Sequence, residues 1–203
     1  MKTITPQDVS TAFVQAIQEV LTRKPICYIG VCGGRSVQAF IDTPLPQNVV
    51  LFMIDERYVA LEDSLRNDVL WKQANIQRMS YETSVQHSAQ TYTDLFFQHT
   101  QAFDIVVASA GEDGHIASLY PYHDALQIDK KRFVAINDSP KPPAQRITAT
   151  MPLLQTATHA FLCFIGEAKA KAYQHVTQRV DIKQCPAVGL LTVPNVIIVK
   201  EGL

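Results

Sequence analysis

The chain has 203 residues, of which 47% are hydrophobic and 18% are charged, and its formal net charge is -1. These values are typical of a globular protein with one sizeable core, so we expect a single domain over residues 1–203, and the near-neutral charge disfavours a nucleic-acid binder. No apolar run approaches the roughly 18 residues of a membrane span and no signal-peptide pattern opens the chain, so we expect a cytoplasmic protein that binds neither nucleic acid nor membrane.

The first predicted element is an amphipathic helix. Thr5-Pro6-Gln7-Asp8 supplies a helix cap, a proline in the first turn and an acid at the third position, and apolar residues then recur at helical spacing. Short apolar runs alternate with helical segments further along the chain. We predict strands over 25–31, 48–54, 103–110, 132–136, 146–151, 159–165 and 196–199, and helices over 64–73, 85–100 and 167–178.

This alternation predicts an α/β fold of three layers, with a mostly parallel, doubly wound (Rossmann-like) sheet and helices on both faces. In such sheets ligands bind beyond the carboxyl ends of the strands. Three polar clusters follow three predicted strands: CGGR at 32–35, DERYV at 55–59 and GEDGH at 111–115. If these strands are parallel neighbours, the clusters meet at one edge of the sheet. We therefore expect the functional site there.

The first two clusters carry groups suited to an anion. Gly33 and Gly34 allow a ligand to approach the backbone, and a brief helix from about Ser36 would direct unpaired amides at a phosphate. By itself, however, a glycine pair is a weak signal that more often marks a plain turn. Arg35 and Arg57 carry guanidinium groups that match phosphate oxygens, although an arginine beside acids is as often part of a structural ion pair.

His115 is the sharpest candidate for catalysis, because imidazole exchanges protons near neutral pH. A lone histidine at a helix start is usually structural. Here Asp113 lies two residues away, and Gly111 and Gly114 free the backbone around it. We interpret the remaining histidines as surface or packing residues, and the four cysteines, none in a CxxC pair, as reduced and structural: His87, His99, His123, His159, His175, Cys27, Cys32, Cys163 and Cys185.

Five motifs together carry a family resemblance. The set of GGR, DERYV, GEDGHIASLYP, PxxR at 143–146 and GxxK at 166–169 resembles the 6-phosphogluconolactonase family, within a wider group that also holds glucosamine-6-phosphate deaminase. The motifs run in family order from about residue 26 to 190. The segment DGHIASLYP is specific, whereas the glycine pair is not.

The resemblance implies hydrolysis of 6-phosphoglucono-1,5-lactone, a sugar phosphate lactone, without a metal or organic cofactor. It implies that His115 is the general base for the attacking water and that Asp113 helps to shape the site. It also implies a set of substrate-binding residues: Gly33, Gly34, Arg35, Asp55, Arg57, Asn67, Arg146 and Lys169. We expect a monomer or a small homo-oligomer.

The sequence also departs from the family pattern. The chain is short for the family, Cys32 stands where serine or a similar residue is common, and Ser109 stands where a glycine is expected. Three other functions stay open. One is a deaminase, whose motif would have a glutamate where Ser118-Leu119-Tyr120 stands here; the others are a non-catalytic sugar-phosphate sensor and a plain α/β domain with solvated loops.

Overall fold

The structure is a computed structural model that describes residues 2–72 and 75–203. The strands in these ranges are β1 Lys2–Ile4, β2 Cys27–Val31, β3 Val49–Met53, β4 Asp55–Arg57, β5 Ile76–Gln77, β6 Ile105–Ser109, β7 Phe133–Ile136, β8 Arg146–Ala149, β9 His159–Ile165 and β10 Asn195–Glu201. The α-helices are α1 Val9–Leu21, α2 Gln38–Ile41, α3 Val85–His99, α4 Met151–Leu154 and α5 Ala170–Gln178.

The main sheet has seven strands in the order β1-β10-β9-β6-β2-β3-β5, and all of its pairings are parallel. Helices α1 and α2 cover one face, where Phe13 and Phe40 pack edge-on against Phe161 of β9. Helix α3 covers the opposite face, where Phe96 packs against Phe52 of β3. The predicted α/β class with a mostly parallel, Rossmann-like sheet is confirmed.

The adjacency that the polar clusters require is also present. Strands β6, β2 and β3 are consecutive neighbours in the sheet, and β9 flanks β6 on the other side. Because the four strands are parallel, the segments that follow them emerge at the same edge. These segments contain the glycine pair, the DER motif, the GEDGH motif and the GxxK motif.

A second, smaller sheet was not predicted. Strands β4, β8 and β7 form an antiparallel sheet, in which β7 and β8 are the ends of a hairpin. The predicted strands at 132–136 and 146–151 therefore exist, but they pair outside the main sheet. The apolar pattern of a strand does not record its partner. One consequence matters for function: Arg57 and Arg146 are direct cross-strand partners.

The predicted helix over 64–73 is wrong for residues 64–72, which contain only a 3-10 turn at Asp68–Leu70; Gln73 lies outside the described residues. The buried carboxylate of Glu56 accepts hydrogen bonds from the backbone amides of Asn67 at 2.6 Å and Asp68 at 2.9 Å. These amides are therefore committed to a tertiary contact. Local helical periodicity does not reveal that competition.

The described residues share one hydrophobic core, which lies on both faces of the main sheet. All four cysteines are free and buried, and burial raises the pKa of Cys27 and of Cys32 to about 12. Thiols of this kind are unreactive packing groups at neutral pH. None of the helices in the described ranges is long and apolar enough to cross a membrane.

Candidate active site

A cavity of about 680 Å³ opens at the edge of the sheet where the polar segments meet. Nine of the ten residues predicted for the site line it, and the tenth, Asp113, is hydrogen-bonded to His115 of the lining. The nine are Gly33, Gly34, Arg35, Asp55, Arg57, Asn67, His115, Arg146 and Lys169. Their roles in binding and catalysis stay predictions, but the fold brings all ten together.

The glycine loop after β2 presents free backbone amides to this cavity. In the described part of the chain, the amides of Gly33, Gly34, Arg35 and Ser36 make no hydrogen bond to protein, while the indole of Trp71 donates to the carbonyl of Cys32 at 2.9 Å and anchors the loop. A 3-10 turn at Arg35–Val37 then leads into α2. The loop therefore has the predicted form, with a very short helix behind it.

Gly33 is required by a close approach. A Cβ at this position would lie 2.1 Å from Oδ1 of Asn67, so only glycine fits against that side chain. Asn67 is itself buried, and its Nδ2 donates to the carbonyl of Asp55 at 3.2 Å. The asparagine therefore joins the glycine loop to β4.

Asp55 is a buried carboxylate at the cavity wall. Burial raises the pKa of Asp55, and the nearby guanidinium groups of Arg146 and Arg57 oppose this effect. Ser118 donates its hydroxyl to Oδ2 of Asp55 at 3.0 Å. Arg57 donates from Nη1 to the carbonyl of Leu65 at 2.5 Å, which fixes its guanidinium beside the cavity.

Arg146 is buried and holds a loop as well as lining the cavity. Its Nε donates to the carbonyl of Pro143 at 3.2 Å, and its Nη2 donates to the carbonyl of Lys141 at 3.0 Å and to that of Pro142 at 3.3 Å. These hydrogen bonds hold the proline-rich loop against Arg146, and Lys141 of this loop lines the cavity. Our sequence analysis missed Lys141, although a lysine in a rigid proline-rich loop was a usable signal.

Lys169 extends from the segment after β9 to the end of β6. Its Nζ donates to Oγ of Ser109 at 3.0 Å and to the carbonyl of Ala110. Burial lowers the pKa of Lys169; the attraction of Glu112 opposes this, and the repulsion of Lys141 adds to it. Ser109, Glu112 and Lys141 all line the cavity, and none of them was predicted as a site residue.

His115 and Asp113 form a hydrogen-bonded pair. Nδ1 of His115 lies 2.6 Å from Oδ1 of Asp113, which also accepts the backbone amide of His115 at 3.1 Å. Gly111 is needed for this geometry, because a Cβ there would lie 2.1 Å from the imidazole ring. If Nδ1 donates to the carboxylate, Nε2 is the ring nitrogen that can accept a proton.

The charge of Asp113 is stabilised by this pairing. Burial by itself raises the pKa of Asp113, but the hydrogen bonds from the His115 ring and amide outweigh burial and lower the pKa to about 2. The carboxylate is therefore ionised throughout the neutral range. It can hold the imidazole in one tautomer and stabilise the imidazolium that forms when His115 takes up a proton.

The class of protein follows from fold and site together: an α/β protein whose sheet edge carries a cavity lined by arginines and lysines, with an imidazole hydrogen-bonded to a carboxylate. The model of the family "Glucosamine-6-phosphate isomerases/6-phosphogluconolactonase" matches residues 3–198. The chain is also 31% identical to a 6-phosphogluconolactonase of Borreliella burgdorferi over 194 residues, which cover 85% of this chain and 83% of that protein. The chain belongs to this family.

Solved structures agree on the fold. A 6-phosphogluconolactonase from Thermotoga maritima superposes with a TM-score of 0.85 at 18% identity, covering 98% of both chains. One from Shewanella baltica also gives a TM-score of 0.85, at 20% identity, covering 100% of this chain and 97% of the other. At these identities the likeness establishes the fold, and the chemistry has to be argued from the site.

Proposed function

We propose that this protein hydrolyses 6-phospho-D-glucono-1,5-lactone to 6-phospho-D-gluconate, a step of the pentose phosphate pathway. The observation that carries the proposal is the His115–Asp113 pair on the same cavity as Arg146 and Lys169. A proton acceptor and a cationic anion site in one cavity match the two ends of a phosphorylated lactone. The family membership supports the same activity.

In the proposed mechanism, Nε2 of His115 takes a proton from a water molecule as that water attacks the lactone carbonyl carbon. The attack forms a tetrahedral intermediate with a negative oxygen. When the intermediate collapses, the bond from this carbon to the ring oxygen breaks and the imidazolium returns its proton to the ring oxygen. Asp113 stays ionised throughout and supports the imidazolium. A lactone is an activated ester, so this reaction requires no metal or organic cofactor.

The phosphate supplies binding energy away from the reacting carbon. Arg146, Lys169 and the free amides of residues 33–36 can hold its oxygens and so fix the distance between the lactone carbonyl and His115. Arg35, Arg57, Asp55 and Asn67 complete the proposed substrate-binding set. Binding at a remote phosphate is the usual way to orient a small substrate for attack.

Deaminase activity is the alternative, because the family also includes glucosamine-6-phosphate isomerases. In this chain Ser118 and Tyr120 occupy the segment where the deaminase motif would have a glutamate. Ser118 donates to Asp55 at 3.0 Å, and the hydroxyl of Tyr120 lies 2.8 Å from that of Ser139. Both side chains are neutral and engaged in buried contacts, which favours the lactonase.

We further propose that residues 1–203 form one domain and that the protein acts in the cytoplasm as a monomer or small homo-oligomer. Its substrate would be a small sugar phosphate lactone, with neither nucleic acid nor membrane as a partner. The two-sheet fold with a shared core supports the single domain. Analytical ultracentrifugation measures the oligomeric state directly.

The decisive experiment compares hydrolysis of freshly generated 6-phosphogluconolactone by the protein, by His115→Asn and by buffer at neutral pH. We expect His115→Asn to lower kcat by about 10²- to 10⁴-fold, the usual contribution of a general base, with little change in KM. His123→Asn is a matched control, because His123 also pairs with an aspartate, Asp138 at 2.9 Å, but does not line the cavity.

Two results would contradict the proposal. A wild-type rate equal to the buffer rate would exclude the lactonase, and ammonia release from glucosamine 6-phosphate would then point to the deaminase. Equal losses in His115→Asn and His123→Asn would mean that His115 has no special role in the reaction.

A further inference from the structure

The ammonium group of Lys169 is half-buried beside the cavity without a carboxylate partner. Its hydrogen bonds go to two neutral oxygens, Oγ of Ser109 and the carbonyl of Ala110. Among the described residues, no carboxylate oxygen lies within 4.0 Å of Nζ. A partly buried charge is costly unless it is compensated, so this site favours an anion in the cavity.

The hydrogen bonds leave unused donors on both side chains. An ammonium group has three N–H donors, and Lys169 uses two of them on Ser109 and Ala110. The oxygen of Ser109 accepts from Lys169, and its own hydrogen has no acceptor within the described ranges. One N–H and one O–H therefore remain, side by side, on two residues that line the cavity.

The position of Ser109 makes this pairing rigid. Ser109 is the last residue of β6, a central strand of the main sheet, and its backbone pairs with Cys163 of β9, whereas the pairing of β6 with β2 ends at Val107. Lys169 comes from the turn after β9, where a 3-10 turn at Glu167–Lys169 precedes α5. The hydroxyl of Ser109 therefore anchors the long side chain of Lys169 to the end of a central strand. A glycine here, as in the family pattern, offers neither an acceptor nor a donor.

The charges around the pair favour an anion over a cation. Arg146 and Lys141 line the cavity, and the repulsion of Lys141 is felt at Lys169. Glu112 and Glu167 also line it, but both residues are exposed, so water screens the charge of their carboxylates. Asp55 is a buried carboxylate of the lining, but the guanidinium groups of Arg146 and Arg57 lie near enough to compensate its charge. The half-buried ammonium of Lys169 has no such compensation.

We propose that Ser109 is a positioning and specificity-determining residue for the substrate phosphate: its oxygen holds Lys169, and its hydroxyl hydrogen is donated to a phosphate oxygen. This inference rests on the proposed function and deepens it, because it assigns the selectivity for a phosphorylated lactone to a residue outside the family motifs. Ser109 and Lys169 then each donate a hydrogen bond to the phosphate.

The test is the kinetics of Ser109→Ala and Ser109→Thr. We expect Ser109→Ala to raise KM for 6-phosphogluconolactone about 10-fold or more, because a hydrogen bond to a charged group is lost, while kcat changes less than about twofold. The inhibition constant of inorganic phosphate should rise by a similar factor, because phosphate binds more weakly. Ser109→Thr keeps the hydroxyl and should stay within about threefold of wild type, which separates the hydroxyl from packing.

A double variant tests whether Ser109 acts through Lys169. In a Lys169→Gln background, Ser109→Ala should raise KM by a clearly smaller factor than it does in the wild-type background, because the ammonium group that Ser109 holds is gone. An unchanged KM and phosphate constant in Ser109→Ala would overturn the proposal. An equal fold-increase in KM in the wild-type and Lys169→Gln backgrounds would overturn it as well.

Calorimetry with inorganic phosphate separates this inference from the proposed function, since binding needs no turnover. If wild type binds phosphate and Ser109→Ala binds it about 10-fold more weakly, the Ser109 assignment holds even for a protein that does not hydrolyse the lactone. If wild type binds no phosphate, or if both proteins bind it equally, the assignment is wrong whatever the catalytic result.

Discussion

At the scale of single residues, the site requires two positions without a side chain, both of them glycines. Gly33 and Gly111 lie where a Cβ would collide with Asn67 and with the ring of His115, each at 2.1 Å. The two glycines therefore allow a neighbouring functional side chain to reach its position. Their role is space rather than flexibility.

Gly33→Ala tests this reasoning. We expect it to lower the free energy of unfolding by about 1–3 kcal/mol, the usual cost of overpacking, and to raise KM, because the loop with the free amides must shift. Urea unfolding and steady-state kinetics measure the two effects. In Gly33→Ala/Asn67→Ala the two nearest atoms, Oδ1 and Cγ of Asn67, are gone and only Cβ at 2.8 Å remains, so the double variant should be more stable than the sum of the single changes predicts. Strict additivity would show that the steric argument is wrong.

At the scale of elements, β4 is the connection between the two sheets and the site. Asp55 and Arg57 lie on the cavity, and Glu56 between them is fully buried. The carboxylate of Glu56 accepts backbone amides of Arg57, Asn67 and Asp68 at 2.6–2.9 Å. One side chain thus ties the strand to the segment that carries Asn67.

The burial of Glu56 predicts a pH dependence of stability. Burial raises the pKa of Glu56 from 4.5 to about 7, although the three amides and Arg66 oppose it. Because the folded pKa is the higher one, this stabilising contribution is complete below pH 4.5 and is lost as pH rises to about 7. The difference in unfolding free energy between wild type and Glu56→Gln should therefore fall by up to about 3 kcal/mol over this range.

Urea unfolding of both proteins at several pH values between 4.5 and 8 measures this difference. Glu62→Gln is the control, since Glu62 is exposed on the connection between β4 and Asn67. A constant difference between wild type and Glu56→Gln across the range would contradict the prediction.

At the scale of the whole molecule, the two sheets and the glycine loop are held by shared contacts. The chain crosses from β3 to β4 through one residue, Ile54, which is fully buried in the core. Trp71, the one tryptophan of the chain, is buried and bonded to the loop carbonyl of Cys32. Its fluorescence therefore reports on the site, whereas circular dichroism reports on the entire fold.

The proposed single domain predicts that these two signals change together. We expect the denaturant midpoints from tryptophan fluorescence and far-ultraviolet circular dichroism to coincide, because a domain with one core unfolds cooperatively. Separate midpoints would mean that the site region and the rest of the sheet unfold as independent units.

The sequence by itself determined the class of fold, five of the seven strands of the main sheet and the polar segments that meet at one edge of it, whereas the edge strands β1 and β5 were not predicted. Periodicity and local motifs carry this information, because a buried strand must be apolar and a parallel sheet brings polar strand ends to one edge. The roles of the ten site residues stay predictions. Only the tertiary structure decided the second sheet, the loss of the helix at 64–72 and the placement of Lys141 and Ser109. Each of these results from contacts between residues distant in sequence, such as Glu56 with Asn67 and Lys169 with Ser109, and such contacts leave no periodic trace in the chain.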